Sequence, residues 1–300
     1  MDKELQDYIN KRMRSYGGKI PSQEMFDKWL SEYITQINDT PLEEAEGYSP
    51  NEMNLILNDL WMDNCPVQLR NMNESDLKLI PLLRQTKHLI DILLKDEKIK
   101  LTATGAIPPK IVKEMYALGA PEYMIEKGIS KLSKEIDSIT VQLTHILLTL
   151  SKIAKVQKNV MTLTVAGNKI VQDDQKILFE ILKTFTTHFN KGFFDGYKNN
   201  EVAHMGIGFG LVLVSKYGSE KRSAYFYSKK YIEAFPQLVL GHEISESDAL
   251  SCFALRFFKR FLYFFGFIEI EIQQSSMSYF VKKTPLFDKA ILIKKPKHIR

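Results

Sequence analysis

Cysteine is nearly missing from this 300-residue chain: Cys65 and Cys252 are the only two, far apart and without metal-ligand spacing. That excludes a disulfide framework and a cysteine zinc cassette, and the apolar and turn residues beside each mark both as buried thiols. Long hydrophobic runs are missing too. Met205–Val214 and Phe261–Ile268 fall far short of the roughly 18 apolar residues that suggest a bilayer span. The opening Met1-Asp2-Lys3-Glu4-Leu5-Gln6 has no apolar signal-peptide core. A cytoplasmic protein with no membrane partner is expected. Neither sign of charge dominates: 41 basic and 36 acidic residues leave a net +5, which permits a polyanionic partner without demanding one.

Catalytic signatures are also wanting. His88, His145, His188, His204, His242 and His298 are scattered without ligand spacing, and His242-Glu243 lacks the second histidine of a zinc-protease helix. Gly206-Ile207-Gly208-Phe209-Gly210 has neither the preceding strand of a dinucleotide fingerprint nor the Gly-Lys-Ser/Thr of a P-loop, so its glycines read as close helix packing. No nucleophile elbow or carboxylate pair is recognisable. The reading leans away from an enzyme and names no catalytic residue, metal or cofactor. Asp195 with His204, beside a glycine-rich turn, is the one polar cluster to inspect for a cleft.

What is present is ordinary globular material, 44% hydrophobic and 26% charged, with 18 Phe and 13 Tyr, many of them in the second half. Its most informative pattern occurs twice: a long apolar-striped helix followed by a short hairpin. The first copy is helix 134–153 and a hairpin through Thr164. The second is helix 247–265 and a hairpin over 267–284 with a Gln-Gln-Ser-Ser turn. Ahead of the first copy come a helix over 75–95 with Pro81 inside it, a strand at Lys98–Leu101, and a helix starting at Pro108-Pro109. Helix, strand, helix, helix and hairpin is the winged-helix order of elements. Three strands and a packed helix are what such a hairpin needs to be stable.

The expected fold is therefore mainly α with short β-hairpins. It divides into an N-terminal helical extension (1–46, with Leu42–Glu46 as an acidic linker), a winged-helix-like module over 47–172, and a helical module over 173–300 that ends in a second such unit. Ser49-Pro50-Asn51-Glu52 reads as a capping box with proline at the first helical position.

Several stretches resemble an uncharacterised bacterial protein family: Gly47-Tyr48-Ser49-Pro50 with Met53, Cys65-Pro66-Val67-Gln68-Leu69, Leu101-Thr102-Ala103-Thr104-Gly105 with Pro108-Pro109-Lys110, and Leu163-Thr164-Val165-Ala166-Gly167. The resemblance covers about residues 47–290. It implies a bacterial, cytosolic protein and carries no activity, cofactor or site residue onto this chain.

Winged helices hold duplex DNA with the helix before the wing and with basic residues on the wing. Helix 134–153 offers Ser138, Gln142, His145 and Thr149 but no mid-helix cation, and makes a poor recognition helix. Arg256, Lys259 and Arg260 share a face of helix 247–265, Lys282 and Lys283 lie on the last strand, and Lys294, Lys295, Lys297 and Arg300 form a basic tail. Non-enzymatic DNA binding of a regulatory kind through the C-terminal module is the leading expectation, with those five residues (Arg256 to Lys283) as contacts. It requires the Arg256–Lys259–Arg260 trio to be exposed together and fails if the arginines pair with internal acids. The alternative is a protein-interaction or scaffold role, homodimerisation included, through Tyr225, Phe226, Tyr227, Tyr231 and Phe235.

Overall fold

The computed structural model describes residues 3–17, 19–240, 244–272 and 279–297. The expected Gln273–Ser276 turn, His242-Glu243, His298 and Arg300 lie outside the described residues. The chain is mainly helical with three small antiparallel sheets among the described residues. In chain order, helices α1 (Lys3–Ser15), α2 (Gln23–Asp39) and α3 (Pro50–Asn58) precede strand β1 (Val67–Leu69) and the short α4 (Glu74–Leu77). Next come α5 (Pro81–Asp96), β2 (Ile99–Lys100), α6 (Pro109–Leu118), the short α7 (Tyr123–Glu126), α8 (Ile139–Leu150), β3 (Ala154–Gln157) and β4 (Val160–Leu163). A single turn, α9 (Val165–Asn168), and α10 (Asp174–Thr187) lead into α11 (Ile207–Tyr217), β5 (Arg222–Ser223) and α12 (Ala224–Ala234). The chain ends with α13 (Glu246–Phe253), a π-helix over Ala254–Leu262, β6 (Ile268–Ile272), β7 (Tyr279–Lys283), α14 (Pro285–Ala290) and β8 (Ile291–Ile293).

The repeated arrangement is real at the level of topology. The first unit runs α5, β2, α6, α8, β3, β4, and its sheet is ordered β2-β4-β3. The second runs α11, β5, α12, α13 with the π-helix, β6, β7, and its sheet is ordered β5-β7-β6. In both, the lone strand between the first two helices pairs with the returning arm of the hairpin, which gives each hairpin its third strand. A third sheet, β1 with β8, joins Val67 to Ile293 and ties the chain's end to its beginning.

Local chemistry sets the boundaries. Ser49 and Glu52 form the expected capping box, with Glu52 Oε2 accepting the Ser49 N–H at 3.0 Å. Pro81 and Pro109 each open their helices, where a missing N–H costs nothing. Pro81 therefore separates α4 from α5 instead of kinking one helix. The expected helix 134–153 is shorter: a 3-10 turn at Glu135–Asp137 precedes Ser138, which caps α8 by accepting the Val141 N–H. The expected helix 247–265 starts at Glu246 and passes into the π-helix, where the Tyr263 N–H reaches back five residues to the Phe258 carbonyl.

One expectation about a loose segment is corrected. Leu42–Glu46 is no linker. Ala45 and Tyr48 are buried in the core, and Glu46 takes hydrogen bonds from Lys216 (2.6 Å), Lys230 (2.8 Å) and Tyr217 (2.7 Å) on the second unit. Near the chain's end, the Lys294 N–H donates to the Pro66 carbonyl and the Lys297 N–H to Glu52 Oε1. Both units share one continuous apolar core, from Ala45 to Ile291. Trp29 and Tyr33 of α2 are buried outside it, against Tyr16 and Tyr8. Cys65 and Cys252 are free and buried, as expected. Among the described residues, no helix is long and apolar enough to cross a membrane.

Candidate nucleic-acid interface

The C-terminal trio is not an exposed basic face. Arg256 is 1% exposed and lies within the second unit. Its Nε and Nη2 donate to the two oxygens of Asp195 at 3.0 and 2.8 Å, and its Nη1 donates to the carbonyls of Asn199 and Val202. Arg260 closes on the same carboxylate, donating from Nη1 to Asp195 at 2.9 Å and from Nη2 to the Phe194 carbonyl. One buried carboxylate thus holds two guanidinium groups, and both arginines donate further to backbone carbonyls. Neither arginine can turn to a phosphate without leaving a buried charge behind. Lys259 projects elsewhere, with its ammonium 4.4 Å from the centre of the Tyr279 ring.

The loop that supplies Asp195 is built for this task. Asn190 caps a 3-10 turn over Lys191–Phe194, and Asp195 follows as its C-terminal residue. A Cβ at Gly192 would stand 2.8 Å from Arg256 Nη2, so only glycine lets the guanidinium in. His204 is near this cluster but does not meet Asp195. Its Nδ1 accepts from Lys191 Nζ at 3.0 Å, and Lys191 also donates to the Thr186 and Phe189 carbonyls. Burial, with Arg256 nearby, pushes Lys191 down to about 7, and burial likewise lowers His204. The clefts of 790 and 600 Å³ are lined by neither His204 nor Asp195.

The second hairpin is electrically balanced. Lys282 is exposed but faces Glu269 across the ladder, Lys221 pairs with Glu271, and Lys283 donates to Asp288 at 2.8 Å and to the Ser215 carbonyl. Of the aromatic helix, Tyr225 is exposed while Tyr227, Tyr231 and Phe235 are buried. Tyr231 stacks on Phe253 at 3.9 Å, and the row continues through Phe257 at 4.9 Å.

Unspent positive charge is found instead on the first hairpin. Lys158 and Asn159 sit at its tip, both with positive φ as a tight two-residue hairpin turn requires. Lys100, Lys152, Lys155 and Lys158 are exposed, and no ion pair or side-chain hydrogen bond engages them among the described residues. The sequence carried this signal: from Ser138 to Gln172 there are four lysines, Lys152, Lys155, Lys158 and Lys169, and not one acid. Lys152 and Lys155 line the 790 Å³ cleft between α8 and the hairpin, along with Thr149, Thr164 and Gly105. His145, also on this cleft, is held by Glu135 at 2.8 Å. The face of α8 offers Gln142 and Thr149 but no cation, as the sequence indicates.

Residues 78–176 of the chain match the family model of the Y4jL N-terminal domain. The matched stretch contains the first unit from α5 to β4, with its unpaired lysines. No curated protein matches the chain. No solved structure matches it. Among the described residues, no group of three or more His, Cys, Asp or Glu is arranged to hold a metal ion.

Proposed function

We propose that the protein binds nucleic acid without catalysis, that its two repeats are winged-helix units, and that the first hairpin is the phosphate-holding wing. One observation carries this reading: Lys152, Lys155 and Lys158, joined by Lys100 on the adjoining strand, are exposed and unpaired in an acid-free stretch. Cations already matched to carboxylates have little left for a phosphate, which removes Arg256, Arg260 and Lys283 from the contact set. Because α8 offers no cation and few groups for base edges, the contact is to the backbone of duplex DNA and is weakly sequence-selective. A bacterial cytoplasmic location goes with this reading, since duplex DNA is reached there.

The test is fluorescence anisotropy of a labelled random duplex, titrated across salt. Neutralising three to four phosphates gives a log–log salt slope of about −3. In the Lys152→Gln/Lys155→Gln/Lys158→Gln variant that slope falls toward zero. Lys282→Gln, on the balanced hairpin, leaves it unchanged. Loss of binding in Lys282→Gln with the triple variant unaffected would return the site to the second unit. Absence of binding by the wild-type protein at low salt would end the nucleic-acid reading.

A further inference from the structure

The two units meet along a groove of 600 Å³. One wall comes from the first unit: Tyr123 and Met124 of α7, both about half exposed, and Ile139 at the start of α8. The other comes from the second: Leu255 and Tyr263 on and beside the π-helix, and Ile270 of β6. A second hollow of 420 Å³ adjoins it and shares Leu255 and Lys259 with it. This one is lined by hydroxyl groups, among them Ser223, Ser247 and Ser251.

The charges around the groove are unequal in their freedom. Glu122 is committed to α8, accepting the N–H groups of Ile139 at 3.0 Å and Thr140 at 3.2 Å and the Ser138 hydroxyl. Glu126 accepts the Tyr116 hydroxyl at 2.7 Å, and Asp137 accepts the N–H groups of Ser133 and Lys134. Arg260 belongs to Asp195. Lys259 alone among these has no hydrogen bond or ion pair with the described residues, although it is partly buried. Burial and the neighbouring Arg260 lower its pKa, and no carboxylate acts on it in the opposite sense. Among the described residues it is the only charged one lining the hydroxyl-bearing hollow.

A half-buried ammonium over an aromatic ring, without an acid, between an apolar groove and a hydroxyl-lined one, fits one class of ligand. Binding sites of this size are mostly apolar, with a few polar groups that fix orientation. A π-helix is also a frequent marker of functional sites, and Lys259 lies within this one. We propose that Lys259 is the anion-binding centre of a ligand site for a small carboxylic acid with an aliphatic or aromatic body. The carboxylate would rest between Lys259 and the serine hydroxyls, and the body would extend past Leu255 into the groove between the units. An acid held there touches both units at once. The proposal does not depend on nucleic-acid binding, and its test does not use DNA.

Calorimetric titration of the full chain with octanoate, acetate and octanol decides it. Octanoate is expected to bind saturably at one site. Acetate lacks the body and octanol the charge, so each should bind at least about tenfold more weakly, a loss of about 1.4 kcal/mol. Lys259→Met keeps most of the unbranched side chain and removes its charge, and should weaken octanoate by the same factor. Met124→Glu, on an exposed wall where folding is not at stake, places an acid in the groove and should also weaken octanoate at least about tenfold. Absence of saturable octanoate binding overturns the proposal. So does octanoate binding that is equal in the wild type and in folded Lys259→Met, or one unaffected by Met124→Glu.

Discussion

At the scale of residues, the second unit is organised around a buried polar knot. Asp195 holds Arg256 and Arg260, while Lys191 points its ammonium at backbone carbonyls and His204 a short distance away. Nothing in the local sequence announces the knot, because Asp195 precedes Arg256 by 61 residues and only the fold unites them. Two arginines one turn apart look like a basic helix face, and the same spacing lets both reach one carboxylate. Lys191 gives the knot a pH signature. Its ordinary value is 10.5 and the folded value is about 7, so between these the unfolded chain binds more protons and stability rises with pH. Below about 7 both states are protonated and this contribution is flat. Urea denaturation between about pH 7 and 9 should show a rise of up to about 1.4 kcal/mol per pH unit from this group. Lys191→Met should remove that rise; a variant with the wild-type slope would show that Lys191 is charged in the folded protein.

At the scale of elements, what the sequence shows best is what is decided within a few residues. The capping box at Ser49, the prolines at the starts of α5 and α6, and the order of helices and hairpins are all legible, because each depends on neighbours in the chain. The π-helix is not, since its widened turn is held by aromatic packing from other helices, as Phe185 stacks on Phe261 at 4.8 Å. The lysines of the first hairpin are visible as an acid-free run, yet weighing the helix before it alone passes over them because the charge sits on the hairpin. The glycines of Gly206–Gly210 read correctly as packing residues. A Cβ on Gly208 would lie 2.8 Å from Leu60 and 3.0 Å from the Ile56 carbonyl, and one on Gly210 would lie 2.6 Å from the Phe257 ring. Gly208→Val should therefore overpack the contact of α11 with α3 and cost about 1–3 kcal/mol. The midpoint of urea unfolding measures this, and an unchanged midpoint would mean that α3 can move aside.

At the scale of the whole molecule, the two units are halves of one body, since a single apolar core crosses both and β1–β8 joins the chain's ends. The groove proposed for an acid is walled by both of these halves. The N-terminal extension is a different matter. Its helices pair with each other through Arg12 and Glu32 at 2.6 Å and through the Tyr8–Tyr33 and Tyr16–Trp29 rings, and Trp29 and Tyr33 stay outside the shared core. The contacts of Ala45, Glu46 and Tyr48 predict a working boundary before Leu42, and two truncations test it. Cutting the chain after Thr40 should leave the main cooperative unfolding transition within about 1 kcal/mol of the full chain. Cutting eight residues later removes Ala45, the Glu46 carboxylate that joins Lys216 and Lys230, and the Tyr48 hydroxyl that donates to the Lys294 carbonyl at 2.5 Å. The lysines left behind are partly solvated, so the lost ion pairs cost about 1 kcal/mol, and the lost apolar burial of Ala45 and Tyr48 adds about 2–3 kcal/mol. The second truncation should therefore unfold at markedly lower urea than the first, as followed by circular dichroism. Equal midpoints would place 41–48 outside the folding unit and restore the linker reading.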